Sequence, residues 1–110
     1  MNEETVLTLN YYEEKARAFC HDTQNVDFSA FQLEFMRYLP AGGRILDFGC
    51  GSGRDSKAFL NAGFQVTAID GSSELCRLAS EFIGQNVICS TFQEYVPVEQ
   101  FDGIWACASL

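Results

Sequence analysis

Three glycines spaced two residues apart, set between an apolar run and a helical pattern, constrain this chain more than any other feature. They lie in Arg44-Ile45-Leu46-Asp47-Phe48-Gly49-Cys50-Gly51-Ser52-Gly53-Arg54-Asp55. An apolar strand over 44–48 runs into an acid, then into G-x-G-x-G, then into a helix over 53–62. Glycines recur this way where the backbone turns sharply and something must approach that a Cβ would block. Gly63 sits where a C-terminal cap glycine belongs.

The rest of the chain repeats that unit. Residues 65–69 predict a second strand ending in Asp70-Gly71, and Ser72 or Ser73 can cap the next helix. Leu75, Leu78, Ala79 and Phe82 fall at i, i+3, i+4 and i+7 of that helix, which Gly84 ends. Residues 86–90 and 101–107 predict third and fourth strands, with Pro97 and the charged turn 94–100 placing a loop between them. Alternating strands and helices with short connections mean parallel strands joined by right-handed crossovers. The fold class is α/β, a Rossmann-like parallel sheet with helices on both faces.

Two helices precede the sheet. Asn10-Tyr11-Tyr12-Glu13 has the form of a capping box, and Tyr12, Ala16 and Phe19 continue at helical spacing to about Asp22. Ser29-Ala30-Phe31-Gln32 opens a second helix by the same logic. Phe28, Phe31, Phe35 and Leu39 stripe one face of it, a core pattern, before Pro40 and Gly42-Gly43 stop it. Residues 1–110 are therefore expected to form a single domain, with 1–40 helical and 44–110 built of βα repeats.

Charge narrows the partners. Seven basic residues stand against fifteen acidic ones, a formal net charge of −8, and no Lys or Arg occurs after Arg77. Nothing supplies the positive stripe that a nucleic acid needs; a neutral or cationic small molecule fits better. Cys20, Cys50, Cys76, Cys89 and Cys107 are odd in number and contain no C-x-x-C, so buried free thiols in a reducing compartment are expected. With one histidine, His21, a zinc site lacks ligands and no metal is expected. The N-terminus has no signal-peptide pattern and no apolar run reaches membrane-spanning length, so the expected location is cytoplasmic.

A strand, a glycine turn, a helix and an acid ending the next strand suit a nucleotide-type cofactor. Asp70 lies 21 residues after Gly49, the spacing at which a carboxylate meets ribose hydroxyls. Asp70-Gly71-Ser72 alone could be a turn with a helix cap; paired with the glycine loop, ribose binding is the better reading. Asp47 then discriminates between cofactors. A pyrophosphate beside this loop would be repelled by the acid, whereas an ammonium and a sulfonium would be attracted. S-adenosylmethionine carries both, has a ribose and has no phosphate. A nicotinamide-dependent oxidoreductase is disfavoured by Asp47 and by G-x-G-x-G in place of G-x-G-x-x-G.

These residues resemble a known family. Residues 45–56 look like motif I of the class I S-adenosylmethionine-dependent methyltransferases, Val66-Thr67-Ala68-Ile69-Asp70-Gly71-Ser72 like the acidic motif of the second strand, and 101–110 like the fourth-strand motif. Tyr11-Tyr12-Glu13-Glu14 and Arg54-Asp55-Ser56 resemble the small bacterial, tellurite-resistance-type branch. The resemblance implies roles for individual residues. Gly49 and Gly51 contact the methionine part of S-adenosylmethionine, and Asp47 holds its ammonium directly or through water. Asp70 takes the ribose hydroxyls, Gly71 or Ser72 lies against the adenosine, and Thr91-Phe92 packs and hydrogen-bonds adenine, with a hydroxyl at Thr91 where many relatives have an acid. Ala106 borders the methionyl chain. Arg54, Tyr11, Tyr12 or Arg17 could neutralise the carboxylate, although a solvated role suits each. No catalytic residue is assigned.

The implied reaction is methyl transfer to a small-molecule acceptor by in-line displacement; the alternative is a donor-binding remnant without turnover. The family's sheet has seven strands, and here the order would be 3-2-1-4 with the C-terminal strands missing. The chain is thus expected to be truncated, with Ile104, Trp105 and Cys107 losing neighbours and the fourth strand offering an edge for a homodimer.

Overall fold

A computed structural model describes residues 3–106, with side chains from residue 13 onward. Tyr11, Tyr12 and Cys107, singled out above, have side chains outside the described set. Eight elements occur in chain order: α1 (Glu3–Thr23), α2 (Ser29–Met36), β1 (Arg44–Phe48), α3 (Arg54–Asn61), β2 (Gln65–Asp70), α4 (Ser73–Ile83), β3 (Ile88–Cys89) and β4 (Gly103–Trp105). All strand pairs are parallel, as the sequence pattern predicts, and the sheet order is β3-β2-β1-β4, as the family resemblance implies.

Register obeys the apolar pattern. Ile45 pairs with Val66 and Gly103, and Asp47 pairs with Ala68 and Trp105. Side chains alternate along a strand, so these residues share one face. There Ile45, Val66, Ala68 and Trp105 form one core with Phe59 of α3 and Cys76 and Ala79 of α4. Phe59 is fully buried; truncating such a ring typically costs about 3–5 kcal/mol. On the other face Phe48 stacks on Phe92 at 4.2 Å, and Thr67 Oγ1 donates to Glu99 at 2.9 Å. The segment 91–99 therefore covers that side with side chains from a loop, and no strand or helix is described within it.

Local signals hold at the loop ends and fail along the first helices. Ser72 caps α4, accepting from the Leu75 amide at 3.3 Å, and Gly84 ends it with a left-handed φ of +78°. By contrast, α1 runs straight through Asn10, so the expected capping box there is interior helix. The contact face of α1 is Ala16 and Cys20, against Leu75 and Leu78, rather than a stripe including Phe19. In α2 the N-cap is Phe28 without a side-chain bond, and Asp27 Oδ1 accepts from the Ser29 amide at 3.0 Å. The Ser29 capping box is therefore not formed. Phe28, Phe35 and Leu39 pack on the core, while Phe31 is exposed. β3 and β4 are shorter than expected. Cys20, Cys50 and Cys76 are buried free thiols, and Cys89 is an exposed one. Among the described residues, no helix is long and apolar enough to cross a membrane.

Trp105 does not lose its neighbours. Its ring meets Phe28, Phe35 and Phe59 edge-on at centroid distances of 6.3, 5.0 and 5.3 Å. Parallel pairing with β1 turns it into the helix-covered core. Ile104, facing the other way, stands 61% exposed.

Candidate functional site

The carboxyl ends of the strands gather the predicted residues. Asp47 and Phe48 end β1, Asp70 ends β2, Thr91 comes just after β3 and Ala106 just after β4. Between β1 and β4 the strand order reverses, which is where open α/β sheets bind ligands.

The glycine loop is built for a tight turn. Gly49 and Gly51 take φ of +90° and +56°, conformations that a side chain strongly disfavours. Its amides are engaged internally. Gly49 and Cys50 both donate to the Ile69 carbonyl, at 3.0 and 2.8 Å, and Gly53 donates to the Cys50 carbonyl at 3.0 Å. The Gly51 amide donates to Asp70 Oδ1 at 3.1 Å. Phosphate cradles work by presenting such amides to the anion; here those four are occupied.

Asp70 closes the turn from the other side. Its Oδ2 accepts from the Ser72 amide at 3.0 Å. One carboxylate thus joins the loop to the start of α4, and each oxygen retains a lone pair for a hydroxyl. Gly71 opens onto free space, with nothing within 4 Å of where a Cβ would stand. Beyond it, Phe92 lies flat on Phe48 and is 47% exposed, a ready stacking surface. Thr91 is exposed, and its hydroxyl accepts from the Glu94 amide at 3.2 Å. Ala106 is exposed at the end of β4.

Asp47 is sequestered. It is 1% exposed; Ser56 Oγ donates to its Oδ2 at 2.6 Å, and its Oδ1 has no partner. Burial raises its pKa to about 7 against the Ser56 hydrogen bond, and the charges of Asp55 and Asp70 push the same way while Arg54 opposes them. Beside it, the Cys50 thiol is held well above its ordinary range by burial and by the charges of Asp47 and Asp70, so it is an inert lining group.

Sequence reasoning missed a second buried acid. Asp55 accepts from Gln32 Nε2 at 2.6 Å, from Trp105 Nε1 at 2.8 Å, and from Arg54 Nε and Nη2 at 3.0 and 3.1 Å. Burial works to raise its pKa, but the donors and the Arg54 charge outweigh it and the net shift is downward. Arg54 also lies over the Phe28 ring at 4.3 Å, so it is a packed ion-pair residue rather than a solvated one. Arg17 pairs with Glu13 on the surface. The available signal for this network was Asp55-Ser56 sharing a helix face with Phe59, polar groups at core positions.

The end of α1 closes over the loop. Thr23 Oγ1 lies 2.8 Å from Ser52 Oγ, and Gln24 Nε2 donates to the Ser52 carbonyl at 3.3 Å. A cavity of about 240 Å³ remains beneath, lined by Phe19, Thr23, Phe28, Cys50 and Arg54 among others. A neighbouring one of about 250 Å³ reaches Ser72 and shares Phe19 as a wall.

Comparison with known proteins agrees with this geometry. A family described as "Methyltransferase domain" matches residues 45–110. The chain is 48% identical over 50 residues to "Ubiquinone biosynthesis O-methyltransferase" of Xanthomonas axonopodis pv. citri (strain 306), a match covering 44% of this chain and 21% of that protein. It is 38% identical over 66 residues to "Putative methyltransferase YqeM" of Bacillus subtilis (strain 168), covering 59% of this chain and 27% of that one. The matched stretches thus span about a quarter or less of these relatives. The glycine turn, the acids on either side of it and the matched span lead to one conclusion: the chain belongs to the methyltransferase domain family, class I, with its Rossmann-like sheet.

Proposed function

We propose that this domain binds S-adenosylmethionine at the carboxyl ends of β1 and β2 and serves methyl transfer to a small-molecule acceptor. The observation that carries the reading is the pairing of Asp70 with an amide-engaged glycine loop beside Asp47. That arrangement offers carboxylates for hydroxyls and an ammonium, and its engaged amides do not favour phosphate. The residues fit the donor on a further count: the partnerless Oδ1 of Asp47 is an acceptor of the right charge. Because Asp47 is almost fully buried, contact through a water suits it better than direct contact.

Asp70 would hold the ribose hydroxyls, Gly71 and Ser72 the adenosine edge, and Phe92 the adenine face, with Thr91 beside it. Gly49, Gly51 and Ala106 would border the methionyl chain. When bound, the donor supplies a methyl group on a positively charged sulfur. The chain's own residues contribute alignment, worth several kcal/mol when reacting groups are held near attack geometry, and an apolar wall of Phe19 and Phe28. An oxygen acceptor is supported by the name of the Xanthomonas relative, an O-methyltransferase.

Calorimetric titration with S-adenosylhomocysteine tests the reading. Saturable heat is expected, with Asp70→Ala weakening binding about tenfold or more, as loss of a hydrogen-bonded charge does. No heat and no thermal shift at millimolar ligand would overturn it.

A further inference from the structure

The acids around the glycine loop differ in one respect. Asp55 has donors from Gln32, Trp105 and Arg54, and Asp70 has the Gly51 and Ser72 amides. Asp47 has Ser56 alone, and among the described residues its Oδ1 is the one buried side-chain polar atom without a partner. Ser56 is itself completely buried, one residue beyond Asp55 on α3. Its hydroxyl therefore serves no solvent contact.

We infer that Ser56 is a positioning residue for the donor site: by donating to Oδ2 it fixes the Asp47 carboxylate and leaves Oδ1 to receive the ligand's ammonium through a water. This rests on the donor-binding reading above and goes beyond it by naming a residue that touches Asp47 and not the ligand. A hydrogen bond to a carboxylate favours its ionised form. Ser56 is the largest influence that lowers the Asp47 pKa, set against burial and against Asp55 and Asp70, with Arg54 adding a smaller pull in the same direction. The Cys50 thiol next to it stays protonated. The charge that an ammonium meets is thus set from α3, by a residue outside the glycine motif.

Linkage makes the role measurable. An ammonium binds the ionised carboxylate, so affinity should rise with pH toward the Asp47 pKa and then level. In Ser56→Ala the midpoint should move up. Titration with S-adenosylhomocysteine from pH 6 to 8.5, taken as the ratio of variant to wild type, cancels the ligand's own ionisation. The expected ratio is a loss of about tenfold near neutral pH that shrinks as pH rises. A loss uniform across pH, or none, would overturn the inference, since a merely structural serine would give that result. Should wild type fail to bind, the donor reading falls. The Asp47 carboxyl carbon can still be tracked by NMR in the ligand-free chain, where an unchanged midpoint in Ser56→Ala overturns the positioning role and a raised one supports it.

Discussion

A carboxylate buried to 1% exposure without full hydrogen bonding is a stability cost kept at one position, Asp47. Its folded pKa of about 7 lies above the ordinary value of 3.8. Its contribution to stability is accordingly fully present below the unfolded value and is lost as pH rises through the folded one. Asp47→Asn should therefore raise stability by about 1–3 kcal/mol at pH 8 and give no gain at pH 4, read from paired thermal melts, while weakening donor binding. Asp55 has the opposite sign. Its lowered pKa supplies stability above the unfolded carboxylate range that is lost as pH falls; because the two carboxylates repel each other, the gain in Asp47→Asn at pH 8 includes relief of that repulsion. A melt difference independent of pH would count against the assignment of Asp47. The glycines and the two flanking acids of the site were legible in the sequence because their spacing is local. Asp55 was not, since Gln32 and Trp105 lie 23 and 50 residues away.

Between elements, the start of α3 comes close to α4. Gly53 enters α3 at φ +88°, and a Cβ there would come within 2.8 Å of Ile83 Cγ2. Left-handed backbone costs a non-glycine residue roughly 1–2 kcal/mol, and crowding against Ile83 and Ala79 adds to it. Gly53→Ala should lower stability by about 2–4 kcal/mol, measured by urea titration; a change within about 0.5 kcal/mol would show that the two helices are free to separate. At this scale the periodicity of α4 and the bounds of β1 are legible in the sequence, since each is written in consecutive residues. The start of α1 is not, because an Asn with a Glu three residues on mimics a cap inside a continuous helix. Phe31 falls outside the core although it continues the stripe from Phe28 to Leu39, because that stripe ignores where the neighbouring elements stop.

At the scale of the whole fold, β4 is the outer strand on one side of the sheet among the described residues and carries Ile104 at 61% exposure. We propose that this edge pairs with a second copy. Sedimentation equilibrium over a wide concentration range should show dimer forming at high concentration and lost in Ile104→Lys; a monomer throughout would remove that partner. The parallel pairing was predictable because helix-length crossovers between the first strands allow few topologies, whereas the order 3-2-1-4 followed from the family resemblance. Turn chemistry and hydrophobic period, both local, thus determined the α/β class, the glycine loop and the positions of Asp47 and Asp70. Only the tertiary structure decided that Asp47 is shut away with Ser56, that Trp105 is seated on Asp55 rather than stranded, and that a loop covers the second face at Phe48. Those outcomes depend on which distant side chains meet after the strands pair, and burial, unlike turn propensity, belongs to the packed chain rather than to any stretch of it.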